Sequence, residues 1–212
     1  MKKNDTKQKV MDAACQLFYT KGYHGTSVRD IAGKASVNVS LINYYYKSKQ
    51  GLLEASVVLY YEEYLAVLEK TAQKRGQDSS STYLKQLIEA IIHYKLSRNQ
   101  FTAFIQRELM LDSVFVREMA VTYLAKENHT LKQAFRDYLE SNGIREREGV
   151  YLYMQLSGML SAPFMMNKEM KGMLLTEESR RYFCSMYTSS IHHWIDTLTT
   201  VSSAALRAVS AN

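Results

Sequence analysis

The apolar positions of the first fifty residues fall on three short helical faces. In TKQKVMDAACQLFYTKG, Val10, Ala13, Ala14, Leu17 and Phe18 recur at helical spacing, and Gly22 stands where a helix C-cap belongs. In GTSVRDIAGKAS, Thr26 or Ser27 can cap a second helix, with Asp30 three residues after Ser27 as in a capping box. Val28, Ile31, Ala32 and Ala35 form its apolar face. A break at Ser36-Val37 leads to Asn38, a suitable N-cap for a third helix running through Tyr45. Two short helices joined by a turn of three or four residues describe a helix-turn-helix, and the first helix supplies the surface they pack on.

Beyond the head, the pattern stays helical. A long connecting helix is predicted from Lys49 to about Lys70, carrying Leu52, Leu53, Leu59, Tyr60, Leu65 and Leu68. The polar stretch KRGQDSSST, 74–82, is the clearest loop. Leu84, Leu87, Ile88, Ile91 and Ile92 then mark a helix buried over one broad face. Further helices are predicted at 101–109, at 113–140 with a break within it, at about 147–166 and at 176–199, and Asn142-Gly143 reads as a helix stop. The fold class is all-α. Residues 1–48 make a helix-turn-helix domain, the helix of about 49–70 connects it, 71–202 form a helical dimerisation and regulatory domain, and 203–212 are a flexible tail.

Composition sharpens this picture at four points. One proline and 9 glycines in 212 residues suit long helices rather than many short strands. No apolar run is long enough to span a bilayer, and MKKNDTKQKV turns amphipathic instead of entering a signal-peptide core, so a cytoplasmic protein is expected. Cys15 and Cys184 match no metal or redox spacing and read as free thiols. The charge is unevenly placed: residues 1–50 hold nine Lys or Arg against three acids, whereas the other 162 residues hold 18 of each. A basic head on a neutral body is the footprint of a polyanion-binding module, although a merely solvated basic surface has the same composition.

The run VNVSLINYYYKSK bears on that choice. Consecutive helical residues point about 100° apart, so Tyr44, Tyr45 and Tyr46 cannot all face a core. With Ile42 and Tyr46 turned inward, Val39, Ser40 and Asn43 share the opposite side, where short side chains reach base edges in a major groove. Tyr44 and Tyr45 flank that face with phenolic hydroxyls suited to phosphate oxygens, and Lys47 and Lys49 follow. An aromatic cluster joining the third and fourth helices is the alternative for one or two of the tyrosines.

Residues 6–53, in particular AACQLFYTKGYHGTSVRDIAGKASVNVSLINYYYKSKQGLL, resemble the DNA-binding domain of the TetR family of bacterial regulators. The resemblance implies a homodimer with helix-turn-helix heads on helical bodies, bound to two-fold symmetric double-stranded DNA. It further implies that Thr26, Tyr44, Tyr45, Lys47 and Lys49 hold phosphates while Val39, Ser40 and Asn43 face bases. Two positions depart from the family pattern. Ser36 replaces the favoured turn glycine, so the turn must tolerate a Cβ, and Asn43 stands where tyrosine is common. The phrases YLKQLIEAIIHYK and FIQRELMLDSVFVREMAVTYLAKENHTL also resemble, within that family, a regulator of the division protein FtsZ in endospore-forming bacteria. That likeness implies a nucleoid-bound protein acting on division-ring assembly during sporulation. A ligand-responsive repressor is the alternative.

The body offers weaker signals. Seven of the eleven methionines lie between 154 and 186, which suits either an effector pocket or, as favoured here, a core or dimer interface of the last two helices. Tyr153, Met154, Phe183, Tyr187 and Trp194 are the interface candidates. Arg107-Glu108 and Arg117-Glu118 each interrupt an apolar stretch; they are solvent-facing charges or a surface for a protein partner such as FtsZ. Nothing in the chain resembles a phosphate loop, a nucleophile elbow or a zinc motif, and His192 with Asp196 makes only two ligands. No enzyme, cofactor, metal or membrane partner is expected.

Overall fold

The computed structural model describes residues 2–110, 114–144, 146–165, 174 and 176–209. Within those ranges, the side chains at 2–4, 110, 114–117, 119, 120, 122, 146, 147 and 199–209 are not described. The described elements are all helical: α1 (Lys2–Lys21), α2 (Val28–Ala35), α3 (Val39–Tyr46), α4 (Lys49–Ala72), α5 (Ser80–Ser97), α6 (Asn99–Met110), α7 (Val114–Ser141), α8 (Glu146–Met165) and α9 (Glu177–Val209). The predicted break in 113–140 is absent, and α9 continues over 203–209, where composition predicts a tail. The loop ends earlier than 82 because Ser79 caps α5, its Oγ accepting from the Thr82 N–H at 3.2 Å.

The chain divides into two compact units, residues 1–64 with 98–124 and residues 65–97 with 125–212. In the first, Val10, Ala13, Ala14, Leu17 and Phe18 of α1 are all buried, as their spacing predicts, with Ile31 and Ala32 of α2 and Ile42 and Tyr46 of α3. α6 joins this core: the Phe104 ring stacks on Phe18 with centroids 5.6 Å apart, and Thr102 shares a buried hydrogen bond with the Tyr60 hydroxyl. Aromatic pairs of this kind add about 0.5–1.5 kcal/mol beyond their burial.

The second unit is built on α5, whose Leu84, Leu87, Ile88, Ile91 and Ile92 are fully buried. α7 brings Leu131, Phe135 and Tyr138, α8 brings Leu156 and Leu160, and α9 brings Ile191 and Ile195. Tyr138 donates its hydroxyl to the Ile195 carbonyl at 2.6 Å, and Trp194 stacks on Phe135. Gly143, at φ +66°, lets the Ile144 N–H return to the Leu139 carbonyl and end α7.

Candidate nucleic-acid interface

Local chemistry sets α2 and α3 at their angle. Ser27 caps α2: its Oγ accepts from the Asp30 N–H at 3.1 Å, and Asp30 accepts in return from the Ser27 N–H at 2.9 Å and from the Ser27 hydroxyl. The Ser27 bonds and nearby Lys21 hold the Asp30 carboxyl down at about 2 against an ordinary 3.8. A depressed carboxylate stabilises the fold above its ordinary range and loses that contribution as pH falls through the folded value. Asp30→Asn should therefore be less stable than the parent at neutral pH and converge with it near pH 2, as followed by circular dichroism across an acid titration.

α2 ends at Ser36, which adopts the left-handed conformation at φ 54° with a side chain present, while the Val37 N–H bonds the Ala32 carbonyl at 3.0 Å. Two residues later Asn38 caps α3 by accepting from the Ser40 N–H at 2.9 Å. The helix-turn-helix spacing read from the sequence is present.

On α3, Ile42 and Tyr46 point inward, and the Tyr46 hydroxyl donates to the Lys7 carbonyl of α1 at 3.0 Å. Burial pushes the Tyr46 phenol up to about 12, so it stays a neutral donor. Of the expected base-facing residues Ser40 and Asn43 are exposed, whereas Val39, three residues before Ile42 and seven before Tyr46, lies toward their side of the helix and is half-buried. Tyr44 is 64% exposed and meets the half-buried Tyr45 edge-on, with centroids 5.2 Å apart. Lys47 is exposed just past the helix, at φ +67°, where the Ser48 N–H bonds the Tyr46 carbonyl at 2.7 Å in a strained three-residue turn. Arg29 and Lys34 of α2 are exposed cations that sequence reading entered only as charge.

Two expected phosphate ligands are bonded within the head. Thr26 is 1% exposed and donates its hydroxyl to the Gly22 carbonyl at 2.8 Å, so its side chain ties the head together from within. The Lys49 ammonium donates to the carbonyls of Tyr23 and Thr26. Among the partner-surface candidates, Arg107 bonds backbone carbonyls of α1, Glu108 is largely covered, Glu118 is exposed, and the Arg117 side chain lies outside the described residues.

Four of the five interface candidates are half-buried and engaged within the chain. The Tyr153 hydroxyl donates to Asn128 and that of Tyr187 to the Met159 carbonyl, Phe183 stacks on Tyr187, and Trp194 lies on Phe135. Met154 is 66% exposed, and the large apolar groups exposed with it include Val150, Tyr151 and Met165 on α8 and Tyr182 and Met186 on α9. Sequence reading missed Tyr151, because α8 is apolar almost all round and its periodicity does not choose a face, and it missed Tyr182 on α9. His192 and Asp196 do not form a site, since both bond Lys85. No group of three or more metal-ligating side chains occurs among the described residues, and none of the described helices is long and apolar enough to cross a membrane.

Residues 10–56 match the family model described as "Bacterial regulatory proteins, tetR family". Over 198 residues the chain is 37% identical to the Bacillus subtilis protein described as "Probable HTH-type transcriptional regulator YttP", spanning 91% of this chain and 93% of that one. The biofilm-operon regulator IcaR of Staphylococcus aureus is 39% identical over 51 residues, 24% of this chain and 27% of its own. Among solved structures, PfmR of Thermus thermophilus superposes with a TM-score of 0.65 at 19% identity, covering 85% of this chain and 97% of that one. FadR of Bacillus halodurans gives 0.64 at 19% identity, covering 92% and 96%.

Alanine at Asn43 is expected to relax preference at one position of each half-site, at a cost of about 1–3 kcal/mol there. Binding to a panel of single-base variants of a selected duplex checks this. An unchanged preference would place the base-reading face elsewhere on α3.

Proposed function

The chain belongs to the TetR family of DNA-binding transcriptional regulators, and we propose that it works as a homodimer whose two copies of α3 read a two-fold symmetric DNA site. The observation that carries this reading is the exposure of Ser40 and Asn43 on a helix whose Ile42 and Tyr46 are buried. Val39, Ser40 and Asn43 face bases, and Tyr44, Tyr45 and Lys47 hold the backbone. Residues 1–48 serve as the DNA-binding part, and 71–202 as the dimerising and regulatory part. Supporting the dimer are Tyr151, Met154, Tyr182 and Met186, large apolar groups left exposed on α8 and α9.

The target of this binding is proposed to be cell division. The resemblance of YLKQLIEAIIHYK and FIQRELMLDSVFVREMAVTYLAKENHTL to RefZ, a TetR-like regulator of FtsZ, supports a cytoplasmic, nucleoid-bound dimer that acts on division-ring assembly during sporulation. Of the candidate partner surface, Glu118 is exposed, whereas Arg107 donates to the Phe18 carbonyl inside the head. A second reading, a repressor of promoters, is favoured by the description of YttP as a transcriptional regulator. A genome-wide map of bound sites separates the two. Palindromic sites away from promoters, with little change in transcription, support division control; sites confined to one or two promoters overturn it in favour of the repressor.

A further inference from the structure

The one proline of the chain, Pro163, lies inside α8, where it is buried. In an α-helix the N–H of residue 163 serves the carbonyl of residue 159, and proline has no N–H, so the Met159 carbonyl lacks its regular helical donor. The Tyr187 hydroxyl of α9 donates to that carbonyl at 2.8 Å. Burial raises the Tyr187 phenol above its ordinary value, which keeps it protonated and a donor at neutral pH. Phe183 stacks on the same ring with centroids 5.2 Å apart. The proline thus opens an acceptor on α8, and a side chain of α9 fills it.

Such a bond fixes what apolar packing leaves loose. Met154, Met159 and Met165 lie on α8 and Met186 on α9, and unbranched thioethers fill gaps at more than one helix register. A hydrogen bond is short and directional, so sliding α9 by one residue, about 1.5 Å, breaks it. Other bonds tie each helix to α7: Tyr153 of α8 donates to Asn128, and Tyr138 of α7 donates to the Ile195 carbonyl of α9. The Tyr187 bond ties α8 and α9 to each other. Met186, next to Tyr187, is exposed, as is Met154, five residues before Met159. The register of α9 on α8 therefore sets where Tyr182 and Met186 stand relative to Tyr151 and Met154.

We propose that Tyr187 is a positioning residue for assembly, a latch on the carbonyl that Pro163 leaves free, and that a second copy of this chain docks on the face whose register it fixes. The proposal rests on the dimer reading. Dimer dissociation is measured by sedimentation equilibrium, and unfolding by circular dichroism at one protein concentration, for wild type, Tyr187→Phe, Pro163→Ala, the double variant and Tyr138→Phe. Tyr187→Phe should weaken the dimer about tenfold with helix content unchanged. Tyr138→Phe, which deletes a hydroxyl of the same kind from the α7–α9 contact, should lower Tm and leave the dimer constant unchanged. Equal weakening by the two would mean that any loosening of α9 suffices, and it overturns the positioning role, as does a Tyr187→Phe dimer as tight as wild type. Pro163→Ala gives the Met159 carbonyl a helical N–H, so Tyr187→Phe should lower Tm less in that background than in wild type. An equal drop in both backgrounds overturns the part given to Pro163. A wild-type chain that stays monomeric removes the dimer reading itself, and the comparison of the two backgrounds still decides the bond.

Discussion

Met154→Arg is expected to split the dimer and to weaken binding to a two-fold symmetric site by about a hundredfold or more. Met154 is 66% exposed on α8. Tyr151, one helical turn before it on the same helix, is 70% exposed, and Tyr182 and Met186 on α9 are 70% and 53% exposed. Gly158, four residues after Met154, is exposed and small enough to let a second helix approach closely. An arginine at the centre of such a face would bury an unpaired charge in the dimer while costing the isolated chain little. Two heads joined on one body engage the second half-site at high local concentration, and that advantage is worth about 10²–10⁴ in affinity. Sedimentation and duplex binding on the same preparation check the prediction together. A variant that remains dimeric and binds as tightly would move the interface off α8.

The second large effect lies in the body. Lys95 of α5 and Glu127 of α7 form an ion pair at 2.8 Å, with side chains only 6% and 12% exposed. Losing one member of a buried pair costs about 3–5 kcal/mol. For a chain of this size that lowers Tm by about 10 °C. Lys95→Ala should show the loss, and Lys95→Met combined with Glu127→Leu should recover most of it, because apolar groups of similar volume replace the whole pair. A loss below about 1 kcal/mol for Lys95→Ala would mean the pair is solvated as a surface pair is.

What the sequence revealed and what it hid divide along a physical line. The head was legible because its signals are local: Ser27 with Asp30, Asn38 before α3, Gly22 after α1, and the inward pair Ile42 and Tyr46 each act within a few residues. The long helices were legible from periodicity. The carbonyl bonds of Lys49 and Arg107 were not, since a cation bound to distant carbonyls has the same local signature as one bound to phosphate or facing water. The Thr26 bond was hidden for a related reason, because its hydroxyl turns back to Gly22 within the turn. The early start of α5 escaped because KRGQDSSST contains its own N-cap, Ser79, among serines that read equally well as loop.

The central claim, that a dimer reads DNA through α3, is most directly tested by selecting bound duplexes from a random pool and footprinting the winner. The account predicts a two-fold symmetric motif whose half-sites fall on one face of the duplex in successive major grooves, about one helical turn apart. It also predicts that Asn43→Ala loses preference at symmetry-related positions in both halves. A pool that never converges, or a motif without two-fold symmetry that Asn43→Ala leaves intact, would contradict it.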